Sequence, residues 1–256
     1  MPFADLGDCV LEYRTILGHA ARAPLVFLHE GLGSAGLWRD FPDKLARRTG
    51  SRALVYSRAG YGGSSGLAGK REPRFMHDEA LDILPRMLAV TGSGRPLLVG
   101  HSDGASIALI HAAAHPGMVS GLVLMAPHVF VEPETLAAIA RIAETYETTD
   151  LRERLAQYHD NVDDAFRGWS DIWLSPRFTS WSLGKEVERL AVPTLLIQGE
   201  DDPYGTLAQL DAFEAARLAK ISRVVLRDCG HSAHRDQEAQ VLDAIASFAA
   251  SLPDVA

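Results

Sequence analysis

Short apolar runs alternate with longer segments of helical periodicity along most of this 256-residue chain. Gly, Pro or charged residues bound the apolar runs, which is typical of strands that are buried on both faces. This alternation predicts an α/β fold with a mostly parallel sheet and helices on both faces of the sheet. The predicted strands are residues 25–28, 53–56, 97–99, 122–125, 194–197 and 224–226.

The two ends of the chain depart from this alternation. Residues 9–17 read as antiparallel strands at one edge of the sheet. Residues 236–252 place Val241, Leu242 and Ile245 at helical spacing, which predicts a final helix that packs on the sheet.

One long segment shows no strand pattern. Amphipathic helical patterns cover 133–146 and 151–159, and three of the four Trp residues of the chain follow them. We therefore divide the chain into an α/β core, residues 1–126 and 193–256, and a helical insertion, residues 127–192.

Composition narrows the class of protein. A hydrophobic content of 47% is enough for a sizeable core, and a net charge of -8 leaves no basic patch for nucleic acid or anionic lipid. The start of the chain has no positively charged leader, and no stretch of 18 apolar residues occurs. We therefore expect a cytoplasmic protein with no membrane partner. Two cysteines are too few for a disulfide scaffold.

The strongest candidate for chemistry is the pentapeptide 100–104, Gly-His-Ser-Asp-Gly. It lies between the strand run 97–99 and the helical segment 105–114, which is the setting of a nucleophile elbow with Ser102 at its tip. The alternative is an ordinary turn in which Ser102 only caps the helix. A nucleophilic serine needs a histidine base and a carboxylate elsewhere in the chain, whereas a capping serine needs neither.

Both partners follow at the ends of later strands, in the order acid and then histidine. A turn after the run 194–197 carries three acids, Glu200, Asp201 and Asp202, and the run 224–226 leads to Gly230-His231. From the residues alone, each acid could instead be a solvated turn residue. His231 and His234 could bind a metal, but no thiolate or H-E-x-x-H pattern accompanies them, so we expect no metal.

The elbow, the acidic turn and the Gly-His pair, in this order, resemble the α/β-hydrolase family. The resemblance implies that Asp202 is the catalytic acid, because the family's acid stands three residues after the Gly that ends the strand, with Asp201 as the rival. It also implies that His231 is the general base and that His234 caps a helix or lines the pocket edge. The other eight histidines are expected mostly at the surface or in loops.

The loop after the first core strand, His29-Glu30-Gly31-Leu32-Gly33-Ser34, resembles the family's oxyanion loop. The resemblance implies that the backbone N–H groups of Gly31 and Asp103 stabilise the oxyanion. Two residues depart from the family pattern. Glu30 stands where glycine is usual, and is either structural or faces the substrate. Asp103 follows the nucleophile, so its carboxylate must point away from the oxyanion, where the start of a helix favours it.

The resemblance also implies a helical cap over the site, formed by 127–192. The aromatic residues of this segment either pack the cap onto the core, which we expect for two of its three Trp residues, or line the substrate cavity, for which Trp169 and Trp173 are the candidates. A serine at position 102 argues against the dehalogenases and epoxide hydrolases of this fold, whose nucleophile is Asp.

The implied function is a cofactor-independent serine hydrolase that cleaves a carboxylic ester, lactone or thioester with a medium-sized apolar group through an acyl-enzyme. Carbon–carbon bond hydrolysis, perhydrolysis and a catalytically silent ligand receptor remain the alternatives. The expected partner is a small-molecule substrate, and the oligomeric state stays open, a homo-oligomer included.

Overall fold

The computed structural model describes residues 1–216 and 220–253, and these form one eight-stranded sheet with the strand order β1-β2-β4-β3-β5-β6-β7-β8. The strands from β4 to β8 in this order pair in parallel, whereas β2 pairs antiparallel with β4 and with β1. The predicted α/β fold and antiparallel edge are confirmed. The strands are β1 (Phe3–Asp5), β2 (Val10–Ile16), β3 (Leu25–Leu28), β4 (Ala53–Tyr56), β5 (Leu97–His101), β6 (Gly121–Met125), β7 (Thr194–Gly199) and β8 (Ile221–Leu226).

The central strands are buried on both faces because successive side chains point to opposite sides of the sheet. In β3, Val26 and Leu28 belong to one hydrophobic core, and Leu25 and Phe27 belong to the other. All four side chains are inaccessible to solvent. This double burial explains why the strands read as continuous apolar runs in the sequence.

Helices cover both faces of the sheet. On one face α1 packs against α11, and on the other α4 packs beside a helical stretch that contains a π-helical turn, Glu79–Ile83. The helices are α1 (Phe41–Thr49), α2 (Phe75–Asp78), α3 (Leu84–Val90), α4 (Asp103–Ala114), α5 (Pro133–Thr148), α6 (Leu151–Leu155), α7 (Val162–Trp173), α8 (Gly184–Glu188), α9 (Ala208–Ala215), α10 (Ala233–Asp236) and α11 (Glu238–Ser251). In the part of the chain that the structure describes, no helix has the length and hydropathy that crossing a bilayer requires.

The segment between β6 and β7 holds the four helices α5 to α8 and no strand longer than a single bridge, which joins Phe130 to Ser182. Residues of α5 and α7 reach the carboxyl ends of the strands, where they line the same cavity as Ser102. The helical character of this segment agrees with the sequence pattern. The division of the chain at 127 and 193 stays a prediction.

Helix α4 crosses β3 at very short range through Gly104. A Cβ atom at this position would lie 2.0 Å from the carbonyl oxygen of Leu28. Because the obstacle is the backbone of a buried strand, no side-chain rotation can relieve the collision. Glycine at position 104 is therefore required for α4 to lie against the sheet and to present residue 102 at the end of β5.

We expect Gly104→Ala to lower the free energy of unfolding by about 3 kcal/mol, the upper part of the range for overpacked cores. Urea unfolding followed by tryptophan fluorescence measures this loss. Gly117→Ala is the matched control, since nothing lies within 4 Å of its added Cβ, and a change within about 0.5 kcal/mol is expected there. Equal stabilities of the two variants would contradict the packing described for α4.

Candidate active site

Ser102 lies at the sharp turn between β5 and α4. Its backbone has φ 53° and ψ -120°, a conformation that is unfavourable for any residue with a side chain. Although Ser102 precedes α4, its hydroxyl makes no capping hydrogen bond to the helix. The alternative of a simple helix cap therefore finds no support, and the strained turn leaves the hydroxyl directed toward the cavity that Ser102 lines.

His231 and Asp202 meet at the ends of β8 and β7. Nδ1 of His231 lies 2.9 Å from Oδ1 and 2.8 Å from Oδ2 of Asp202, and the backbone N–H of Tyr204 donates a further hydrogen bond to Oδ1 at 2.8 Å. The side chain of Asp202 is 1% exposed and that of His231 is 15% exposed. Burial opposes the ionised carboxylate, but the charge of His231 and these hydrogen bonds outweigh burial and lower the pKa of Asp202.

Geometry separates Asp202 from the neighbouring acids. Glu200 and Asp201 are exposed, whereas the carboxylate of Asp202 contacts Nδ1 of the His231 ring. A carboxylate at Nδ1 orients the imidazole and leaves Nε2 as the nitrogen that can accept a proton.

Ser102 and His231 line one cavity of about 200 Å³ at the carboxyl ends of the strands. Its walls bring together residues from the oxyanion loop, the elbow, the segment after β6, the inserted helices and the turns after β7 and β8. They are Glu30, Gly31, Leu32, Ser102, His128, Thr135, Ile139, Trp169, Trp173, Tyr204, His231 and Ser232. Most of the predicted site residues therefore share one cavity, whereas Asp202 and Asp103 do not line it and instead contact His231 and Trp173, which do.

Two buried side chains hold the backbone of the oxyanion loop, residues 29–34. Nδ1–H of His29 donates to the carbonyl of Glu30 at 2.7 Å, and the backbone N–H of Arg58 donates to Nε2 of His29 at 3.1 Å. The guanidinium of Arg58 donates to the carbonyls of His29 and Glu30 at 3.0 and 3.1 Å. Burial, and then the charge of Arg58, hold the pKa of His29 well below its usual value, so His29 stays neutral in this role.

A histidine of the inserted segment also contacts this loop. Nδ1 of His159 accepts the backbone N–H of Gly62 at 3.0 Å, and its Nε2–H donates to the carbonyl of Leu32 at 3.2 Å. One neutral imidazole satisfies both contacts, and burial lowers the pKa of His159, which favours that neutral form.

Gly31 is in contact with Trp169 of α7. A Cβ atom at position 31 would lie 2.2 Å from Nε1 of the indole, so the ring occupies the space that any side chain would need. The backbone of Gly31 and the indole of Trp169 together form one wall of the cavity beside Ser102.

Asp103 points away from the cavity, as expected for the residue that follows Ser102. Its Oδ1 accepts a hydrogen bond from the indole N–H of Trp173 at 3.2 Å, and burial raises the pKa of its carboxyl group. The N–H of Asp103 is the first of α4 and has no partner within the helix, so it is free to donate to a ligand. Trp173 thus contacts Asp103 on one side and lines the cavity on the other.

Glu30 reaches the residue that precedes Ser102. Its Oε2 lies 3.4 Å from Nδ1 of His101, and its side chain is 19% exposed, whereas that of His101 is fully buried. Burial opposes ionisation of Glu30, but the contact with His101 and the neighbouring imidazoles more than offsets it, and the pKa of Glu30 lies well below its usual value.

Most of the other eight histidines lie at the surface or in loops, as expected: His19 and His115 are exposed, and His29, His128 and His159 lie in loops. Burial was not expected, yet five of the eight are buried: His29, His101, His111, His128 and His159. The expectation for His234 also needs correction, since its ring packs against Trp38 and Phe41, with centroid distances of 4.9 and 5.4 Å, and does not line the cavity.

Sequence reasoning also missed His128 as a cavity residue. Burial lowers its pKa to about 3, and its ring centroid lies 6.0 Å from that of His231. Its position directly after β6 was the available signal, because residues at the carboxyl ends of parallel strands share one edge of the sheet. Within residues 1–216 and 220–253, no group of three or more His, Cys, Asp or Glu side chains could hold a metal ion.

Several known proteins share this architecture. An alignment 274 positions long, gaps included, relates the chain to the sn-1-specific diacylglycerol lipase ABHD11 of Danio rerio at 24% identity. It covers 93% of the chain and 82% of the relative. The enol-lactonase from Burkholderia xenovorans LB400 superposes with a TM-score of 0.77 at 22% identity, over 98% of this chain and 100% of that one.

A structure described among the carboxylesterases of the Thaumarchaeon Nitrososphaera gargenis superposes with a TM-score of 0.78 at 20% identity, over 97% and 98% of the two chains. At these identities the two structural comparisons establish the fold. A sequence model described as the Alpha/beta hydrolase family matches residues 25–244, which is most of the chain. The resemblance of the motifs is thus confirmed, and the chain belongs to the alpha/beta hydrolase family and is an enzyme of that family.

Proposed function

We propose that this enzyme is a serine hydrolase that cleaves a carboxylic ester, lactone or thioester through an acyl-enzyme. One observation carries the proposal: both oxygens of Asp202 hold Nδ1 of His231, and His231 and the strained Ser102 line the same cavity. The relatives support the same class of bond, because their names describe a lipase, an enol-lactonase and carboxylesterases.

In the proposed reaction, Nε2 of His231 takes the proton of Ser102 as the serine oxygen attacks the substrate carbonyl. The backbone N–H groups of Gly31 and Asp103 stabilise the negative charge that develops on the carbonyl oxygen. His231 then returns the proton to the leaving group, and water, activated by the same imidazole, releases the acyl group from Ser102. The proposed steps use side chains and backbone groups of this chain together with water, and need no cofactor.

The cavity lining favours a neutral, medium-sized apolar acyl group. Trp169, Trp173, Ile139 and Leu32 supply apolar walls. No Lys or Arg appears among the lining residues. A substrate that carries its own carboxylate would find no cation to pair with. This argues against the carbon–carbon hydrolysis of dioxo acids that the sequence left open.

We expect p-nitrophenyl hexanoate to be cleaved with a kcat/KM about tenfold to hundredfold above that of mono-p-nitrophenyl adipate, because burying a carboxylate against apolar walls without a paired cation costs a few kcal/mol. Release of p-nitrophenol measures both rates. The methyl ester of the adipate is the matched control, since it has the same acyl skeleton without the charge, and we expect it to recover most of the rate. Preference for the charged acyl group would contradict the proposed substrate class.

A fluorophosphonate probe tests whether Ser102 acts as a nucleophile. We expect covalent labelling of Ser102, detected by mass spectrometry of the labelled peptide. A chain that resists labelling, and that hydrolyses no member of a panel of esters, lactones and acyl thioesters, would instead be the ligand-binding alternative.

A further inference from the structure

His101 lies between the two loops that carry the reacting groups. Its Nε2 is 2.8 Å from the carbonyl oxygen of His231, and its Nδ1 is 3.4 Å from Oε2 of Glu30. Glu30 directly precedes Gly31 in the oxyanion loop. One fully buried ring therefore contacts both the loop of the proposed base and the loop of the proposed oxyanion donor.

The partners of this ring determine where its protons are. A carbonyl oxygen can only accept a hydrogen bond, so Nε2 of His101 carries a proton. If Nδ1 carried none, its lone pair would face a lone pair of the Glu30 carboxylate in a buried place. A proton on Nδ1 removes this repulsion and places an imidazolium 3.4 Å from the carboxylate, within ion-pair distance although the contact does not have the geometry of a hydrogen bond.

The residues around His101 leave space for the carboxylate of Glu30. A Cβ atom at Gly33 would lie 2.4 Å from Oε2 of Glu30, so glycine at this position leaves room for the side chain. The ring of His101 is flanked by the imidazoles of His231 and His234, at centroid distances of 4.8 and 5.0 Å, and by the indole of Trp38 at 6.4 Å. Burial holds the pKa of His234 well below its usual value. Glu30 is therefore the carboxylate in contact with the ring among the described residues.

We propose that Glu30 and His101 form a buried carboxylate–imidazolium pair that fixes the backbone of His231 relative to the oxyanion loop. Neither side chain touches the reacting atoms in the proposed mechanism, so both are positioning residues. The catalytic part of this inference rests on the proposed function, whereas the protonation state of His101 does not.

Two substitutions separate charge from contact. Glu30→Gln keeps the size of the side chain and can donate an N–H to a neutral His101, so it removes the charge but keeps the link. Glu30→Ala removes both. Glu79→Gln is the matched control, because Glu79 is another buried carboxylate and lies in the π-helical turn, outside the cavity lining.

Nitrogen NMR of the full chain labelled with ¹⁵N-histidine tests the pair without any substrate. The signals of His101 are assigned by their loss in His101→Gln. We expect both ring nitrogens of His101 to carry protons at neutral pH in the wild-type chain, and Nδ1 to lose its proton in Glu30→Gln but not in Glu79→Gln. An unprotonated Nδ1 in the wild-type chain would overturn the proposal, even if the enzyme proves active on esters.

Kinetics test the positioning role. We expect Glu30→Ala to lower kcat about tenfold to hundredfold with KM nearly unchanged, since small misplacements of catalytic groups cost about this much. Glu30→Gln should lose less.

The rate of fluorophosphonate labelling of Ser102 provides a second readout that needs no turnover, and it should fall in parallel with kcat. If Glu30→Ala retains the wild-type kcat and labelling rate, the positioning role is refuted. If no variant, the wild type included, is labelled, the proposed function fails, and the NMR result still decides whether the pair exists.

Discussion

Ser102→Ala is expected to lower kcat for ester hydrolysis on the order of 10⁶-fold, to the residual rate that binding and oxyanion stabilisation alone support. The reason is geometric. Ser102 has the strained backbone of the elbow, makes no capping hydrogen bond and lines the cavity with His231. Initial rates with p-nitrophenyl butyrate, together with loss of fluorophosphonate labelling, measure the effect.

Ser106→Ala is the matched control, because Ser106 is a buried serine in the first turns of α4, four residues after Ser102, and its hydroxyl donates to the carbonyl of His128 at 2.6 Å. It should keep most of the activity and all of the labelling. Thermal unfolding of both variants confirms that they fold. Substantial hydrolysis by Ser102→Ala would mean that another group attacks the substrate.

Asp202→Asn is expected to lower kcat about 10⁴-fold. The amide can present an N–H to the ring of His231, which then takes the tautomer with its proton on Nε2 and can no longer accept a proton from Ser102. Burial strengthens the effect, since the side chain of Asp202 is 1% exposed and water cannot substitute for the lost acceptor. The same ester assay, run across the pH range, provides the measurement.

Asp201→Asn makes the same chemical change one residue earlier, on an exposed side chain. We expect it to change kcat less than threefold or so, because surface substitutions away from the site perturb little. A dead Asp201→Asn enzyme beside an active Asp202→Asn enzyme would reverse the assignment of the acid.

The fold could be predicted because its strands are short and buried, so that each apolar run marks one strand. The bounds of β3 and β4 match the sequence pattern residue for residue. The pattern missed the first half of β8, where Ile221 is followed by two polar residues, Ser222 and Arg223. This strand lies at the edge of the sheet with one neighbour, β7, and is only partly buried. Fewer of its residues therefore need to be apolar, and the sequence shows a shorter apolar run.

The candidate site could be located because its residues follow strand ends, which a sequence displays directly. Its supporting contacts could not, because they join distant segments. Nothing near Asp103 in the sequence indicates that Trp173, 70 residues away, donates to its carboxylate. The buried histidines were missed for a related reason: a neutral imidazole bonded to backbone, as in His29 and His159, leaves no mark in composition or periodicity.

The close fit of Gly31 and Trp169 restricts how this site can change over evolutionary time. Because the indole fills the space of a side chain at position 31, any larger residue there must be accompanied by a smaller one at position 169. The two positions are 138 residues apart in the sequence, so such a change needs two separate mutations, and the enzyme passes through a damaged intermediate whichever comes first. Diversification of the cavity is therefore easier through Ile139 or Leu32, which line it without this constraint.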